Sequence, residues 1–70
     1  MMPLIFSDPG EEQIIKKIGG NHEIKLHLEN LGFVVGGSVT VVSEIAGNVI
    51  VNVKDTRVAV SKEMAQKIMV

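Results

Sequence analysis

The sequence predicts a mainly β fold: a small barrel with one inserted amphipathic helix and a short C-terminal helical turn. Valine recurs at every second position in Ser38–Val42 and Val49–Val53, as expected of strands that bury one face. After a glycine pair at Gly19 and Gly20, the apolar period changes to that of a helix. A barrel would remove the exposed edges of these short strands. An open α+β sheet with the helix packed across it is the alternative architecture.

The first half of the chain is predicted to form one strand and the helix. Glu12–Ile18 alternates around isoleucines and ends at the glycine pair, which indicates a strand and a turn. Asn21 is the predicted N-cap. Gly32 is expected to end the helix in the left-handed conformation, with Phe33 folded back onto Leu28. The apolar stripe of the helix follows the spacing i, i+4, i+7: Ile24, Leu28 and Leu31.

The second half is predicted to form strands joined by tight turns. Gly47 and Asn48 connect the two valine strands, and Lys54 and Asp55 reverse the chain again. Ser61 is expected to cap a helical turn. The elements that follow the second turn are Thr56–Val60, Lys62–Gln66 and Ile68–Val70. The predicted core is the set of inward-facing side chains Ile24, Leu28, Leu31, Phe33, Val39, Val41, Val51, Val53, Val58 and Val60.

Composition excludes several functional classes. The 70 residues, read as a single domain spanning 1–70, contain no cysteine, so disulfides, thiolate nucleophiles and cysteine-based metal sites are excluded. The net charge of −1 gives no footprint for nucleic acid, and Lys16 with Lys17 is not a basic patch by itself. No apolar stretch approaches the roughly 20 residues of a membrane span. We therefore expect a soluble, cytoplasmic protein without direct membrane insertion.

No catalytic, cofactor or metal site is predicted. His22 and His27 lie five residues apart, which separates them by about 140° around a helix, so they cannot chelate one metal ion from one face. The serines have no histidine and aspartate partners indicated for nucleophilic catalysis. We predict that this is not an enzyme.

One residue breaks the amphipathic pattern of the helix. Leu26 lies about 160° to 200° around the helix from the apolar stripe, so it should point away from the barrel. Together with His22 and Lys25 it is the predicted partner-binding face. Val42 and Ile50, on the outward phase of their strands, are weaker candidates.

The run from Leu28 to Val41, with its helix end, Leu-Gly stop, glycine turn and Val-x-Val strand, resembles the signature of the ferrous iron transport protein A (FeoA) family. Three positions depart from the family pattern: Val35 stands for a proline, Asp55 for a glycine and His27 for an arginine. The resemblance implies an SH3-like barrel without catalytic activity. It also implies support of ferrous iron uptake by binding and regulating FeoB, a membrane permease with a cytoplasmic GTP-binding domain.

Two other functions compete with this reading. The first is an adaptor or metal-responsive regulatory barrel that binds another protein partner. The second is a small barrel that binds nucleic acid, which should show salt-dependent RNA binding.

Overall fold

The computed structural model describes residues 1–70 and confirms a mainly β fold. A four-stranded antiparallel sheet has the order β1-β3-β4-β5, and β2 pairs with β6 in a second, two-stranded sheet. None of the helices has the length and apolar character of a membrane span. In chain order the elements are a 3₁₀ helix (Leu4–Phe6), β1 (Glu12–Ile14), β2 (Lys17–Ile18), α1 (His22–Leu31), β3 (Ser38–Ile45), β4 (Asn48–Val53), β5 (Thr56–Ser61), α2 (Lys62–Ala65) and β6 (Ile68–Met69).

One apolar cluster forms the core and draws on both sheets, both α-helices and the N-terminal segment. The predicted core is confirmed except at three positions, Ile24, Leu31 and Val58, which are only half-buried at its rim. Val58 lies on β5, an edge strand with no neighbour on its outer side. The buried apolar residues are Leu4, Ile15, Ile18, Leu28, Phe33, Val39, Val41, Val49, Val51, Val53, Val60, Ala65, Ile68 and Val70.

The single strand predicted over Glu12–Ile18 is wrong, because the chain changes its pairing partner in the middle of it. The Ile15 N–H donates to the Gly37 carbonyl, whereas the next N–H, of Lys16, donates to the Met69 carbonyl, both at 2.8 Å. Ile15 and Ile18 are both buried although they lie three residues apart. A regular strand would put them on opposite faces, so the break lets both enter the core.

Both hairpins of the larger sheet use two-residue turns in which each central residue has positive φ. Ala46 and Gly47 have φ of 50° and 82°, and Lys54 and Asp55 have φ of 50° and 60°. Such turns match the right-handed twist of the flanking strands. β3 continues beyond its predicted end to Ile45, with a register shift between Val41 and Ser43.

The left-handed conformation of Ala46 is costly for an alanine, whereas asparagine before glycine is a preferred pair in this turn. We expect Ala46→Asn to raise the free energy of unfolding by about 0.5–1 kcal/mol in chemical denaturation. Ala59→Asn is the control, since Ala59 is also exposed but lies within β5, where asparagine is disfavoured. If the two variants had equal stability, Ala46 would not be left-handed in solution.

Candidate functional site

Helix α1 carries the predicted partner-binding residues, and both of its ends are confirmed as predicted. Asn21 Oδ1 accepts a hydrogen bond of 2.9 Å from the Ile24 N–H, which satisfies one of the unpaired donors of the first turn. At the other end Gly32 has φ of 109°, and the Phe33 N–H donates to the Leu28 carbonyl at 3.0 Å. Helix α1 therefore begins and ends at defined residues, which determines the side chains that belong to each of its faces.

A single fully buried side chain, that of Leu28, attaches α1 to the core. The C-terminal end of the helix lies against the second hairpin, because a Cβ added at Gly32 would come within 3.6–3.7 Å of the Val53 and Lys54 side chains. The last turn of α1 contains no basic residue. The aliphatic part of the Lys54 side chain lies close to this C-terminal end. The opposite side of the helix remains in solvent.

Leu26 lies at the centre of that solvent-facing side. Its side chain is 44% exposed, and at about 100° per residue it points roughly 160° away from Leu28. The residues one turn away from Leu26 are all exposed and polar, so an apolar side chain stands inside a polar ring. We call this group the Leu26 face; its residues are His22, Glu23, Leu26, Glu29 and Asn30.

The structure agrees in part with the grouping expected from the sequence. His22 precedes Leu26 by four residues and lies on the same side, as expected. Lys25 is exposed but lies about 100° around the helix, so it flanks the face. Glu29 and Asn30 were missed, although their spacing of three and four residues from Leu26 could have identified them. Val42 and Ile50, the weaker candidates, are half-buried, so they expose less of their side chains than Leu26 does.

Neither a metal centre nor an apolar pocket for a small molecule accompanies the Leu26 face. The structure brings no three histidine, aspartate or glutamate side chains together as a metal centre. A shallow depression of about 360 Å³ on the outer face of the larger sheet is lined only by polar residues. Binding pockets for small molecules are usually lined mainly by apolar groups. The depression is lined by Glu12, Ser38, Thr40, Asn52, Lys54 and Asp55.

The histidines lead to a prediction about iron. Both are exposed on α1, five residues apart, and no third ligand is grouped with them. We expect anaerobic calorimetry with Fe²⁺ to show no saturable one-to-one binding, since a tight site needs several converging ligands. The double variant His22→Ala/His27→Ala should give the same titration curve as the parent. A saturable site that disappeared in this variant would contradict the prediction.

Comparison with known proteins identifies sequence relatives of this chain. The family model described as the FeoA domain matches residues 2–70. A protein of Methanocaldococcus jannaschii, provisionally named Fe(2+) transport protein A, is 36% identical over 70 residues, covering all of this chain and 85% of the relative. These matches span nearly the whole chain, including α1 and every strand.

Solved structures show the same fold. A crystal structure described as an iron uptake regulatory protein (FeoA) superposes with a TM-score of 0.89 at 29% identity, covering 97% of this chain and 90% of that one. The zinc-bound structure of ScaR, a manganese-activated repressor, gives a TM-score of 0.85 at 17% identity over 97% of this chain and 35% of ScaR. The ScaR match shows the fold alone. The predicted small SH3-like barrel is confirmed by the FeoA structure.

Proposed function

We propose that this protein supports ferrous iron uptake as a non-catalytic interaction module, because the chain belongs to the FeoA domain family. That family is implicated in Fe²⁺ transport. In this proposal iron is the cargo of the transport system and not a resident ligand of the barrel. The protein acts in the cytoplasm, at the inner face of the cell membrane, through a membrane-bound partner.

The proposed partner is FeoB, the ferrous iron permease with a cytoplasmic GTP-binding domain, and the proposed contact is the Leu26 face. The observation that carries this proposal is the 44% exposure of Leu26 inside a ring of polar side chains on a capped helix. Interfaces commonly have this arrangement, with an apolar anchor at the centre and a polar rim around it. Burial of Leu26 in a pocket of the partner would remove its apolar surface from water.

The charges of the Leu26 face specify the partner surface further. Glu23 and Glu29 lie within one turn of Leu26 and are exposed. A complementary pocket would therefore carry lysine or arginine at its rim, since charge complementarity increases association rates and suppresses incorrect partners. Lys25, at the flank, would lie outside the centre of this contact.

A second candidate function is an adaptor or metal-responsive regulatory barrel that binds a different protein. The observation behind this candidate is that ScaR, a manganese-activated repressor, contains a domain of the same fold. Its weight is small, because the match covers 35% of ScaR at 17% identity and fold similarity alone does not determine function.

The test is calorimetric titration of the full chain into FeoB of the same organism, purified in a non-ionic detergent that carries no anionic lipid. We expect saturable one-to-one binding that does not require added iron. A flat titration with active permease would reject FeoB as the partner. Capture of a metal-dependent regulator in its place would favour the second candidate.

A further inference from the structure

The acidic residues are unevenly distributed along the chain. Lys16, Lys17 and Lys67 lie in three segments, residues 1–7, 13–22 and 64–70, that contain no aspartate or glutamate. All eight acidic residues lie elsewhere in the chain, although the net charge is −1. The one ion pair in the structure joins Lys62 to Glu44. The three lysines are therefore not neutralised by ion pairs.

The second sheet brings these segments together. Lys17 pairs directly with Met69, and Ile18 with Ile68. The Gly19 N–H donates to the Lys67 carbonyl at 2.6 Å, and the Lys16 N–H donates to the Met69 carbonyl at 2.8 Å. Since Ile18 and Ile68 are buried, alternation along the strands turns their neighbours Lys17 and Met69 to the outer face. Lys67 lies in the turn before β6 and is half-buried, and Lys16, between β1 and β2, is exposed.

Aliphatic side chains, one exposed and two half-buried, adjoin these lysines. Met69 and its bridge partner Pro3 are half-buried. Val35 is 65% exposed and precedes Gly36, whose N–H donates to the Ile15 carbonyl at 2.8 Å. The pairing therefore puts Val35 beside the lysine pair. We call the combined surface the lysine patch; its residues are Lys16, Lys17, Val35, Lys67 and Met69.

We propose that the lysine patch contacts the surface of a membrane that contains anionic lipid. Unpaired lysines around aliphatic side chains suit this surface, because ammonium groups meet lipid headgroups while short apolar groups reach the interface. Near an anionic leaflet each lysine contributes about fivefold in affinity, so three contribute about a hundredfold. Nucleic acid is a poorer match, because the patch contains no arginine and no aromatic side chain for stacking.

The lysine patch is separate from the Leu26 face and does not depend on the identity of the partner. The two surfaces share no residue: the face lies on α1, whereas the patch is formed by β2, β6, the residues just before each of them and the loop that contains Val35. Weak membrane contact would nevertheless raise the effective concentration of the protein near any membrane-bound partner. The contact remains at the headgroups, without insertion of the chain.

The test is co-sedimentation of the full chain with two kinds of vesicle, phosphatidylcholine alone and phosphatidylcholine mixed with phosphatidylglycerol. We expect binding only to the anionic vesicles, at lipid concentrations on the order of millimolar, with loss at high salt. The variant Lys16→Gln/Lys17→Gln/Lys67→Gln should bind about a hundredfold more weakly.

The matched control is Lys54→Gln/Arg57→Gln/Lys62→Gln, which also removes three positive charges, all of them outside the patch. Both variants have a net charge of −1 − 3 = −4, so only the position of the charges differs. The control should retain most of the parental binding. Equal loss in both variants, equal binding to neutral vesicles, or tighter binding of the patch to RNA than to lipid would each overturn the proposal. FeoB titrations in neutral detergent are unaffected by any of these outcomes.

Discussion

Replacement of Leu28 by alanine is expected to lower the free energy of unfolding by about 2–5 kcal/mol. Leu28 has no exposed surface and is the only fully buried side chain of α1. Truncation would remove the favourable free energy of moving the leucine side chain from water into the core. It would also leave a cavity that the neighbouring side chains fill only in part. A domain of this size buries only about 60% of its unfolded surface, so the variant would be largely unfolded at moderate denaturant. Urea denaturation followed by circular dichroism is the measurement.

The helix supplies its own control for this prediction. Leu26→Ala removes the same atoms two residues away, from a side chain that is 44% exposed. Its stability should remain within about 0.5 kcal/mol of the parent. If Leu28→Ala unfolded at the same denaturant concentration as Leu26→Ala, the register assigned to α1 would be wrong.

The sequence predicted α1 well because local chemistry determines both of its ends. The side chain of Asn21 and the backbone freedom of Gly32 act within one turn of the helix, so their effects can be read without knowing the rest of the fold. The same is true of Ser61, whose Oγ accepts from the Met64 N–H at 3.2 Å. The valine strands were recognisable because each buries one face.

The break between β1 and β2 could not be predicted from local pattern. The break depends on two distant residues, Gly37 and Met69. Their carbonyls accept hydrogen bonds from two successive N–H groups of the segment, those of Ile15 and Lys16. Leu4, which is fully buried, was missed for a related reason. It lies in a single 3₁₀ turn, which is too short to give an apolar period.

The sequence predicted the outward direction of Leu26, but not the full set of residues that surround it. The period of α1 correctly indicated that Leu26 points outward. The same period could also have identified the polar residues around Leu26, since positions three and four residues away lie on the same side of a helix. The lysine patch was hidden from sequence reasoning, because Lys67 joins Lys16 and Lys17 only through the pairing of β2 with β6.

Leu26→Glu is expected to weaken binding to FeoB by about ten- to a hundredfold while leaving the fold intact. A leucine buried at an interface contributes on the order of 1–3 kcal/mol, and an unpaired carboxylate in the same pocket adds a desolvation cost. In the free protein the side chain is 44% exposed, so the substitution should change the unfolding midpoint little.

Ile45→Glu is the control for charge and hydrophobicity. Ile45 is 61% exposed and lies at the end of β3, beside the first hairpin turn. The substitution introduces the same carboxylate in place of an exposed aliphatic residue on a different element. This variant should bind FeoB as the parent does.

The measurement that tests the Leu26 face most directly is titration of the parent, Leu26→Glu and Ile45→Glu into FeoB in neutral detergent. Each variant is first shown to be folded by its thermal unfolding midpoint. We predict unchanged midpoints in both variants, parental affinity in Ile45→Glu, and binding weakened at least tenfold in Leu26→Glu. Parental affinity in a folded Leu26→Glu variant would contradict the proposed docking face and direct attention to Val42 and Ile50.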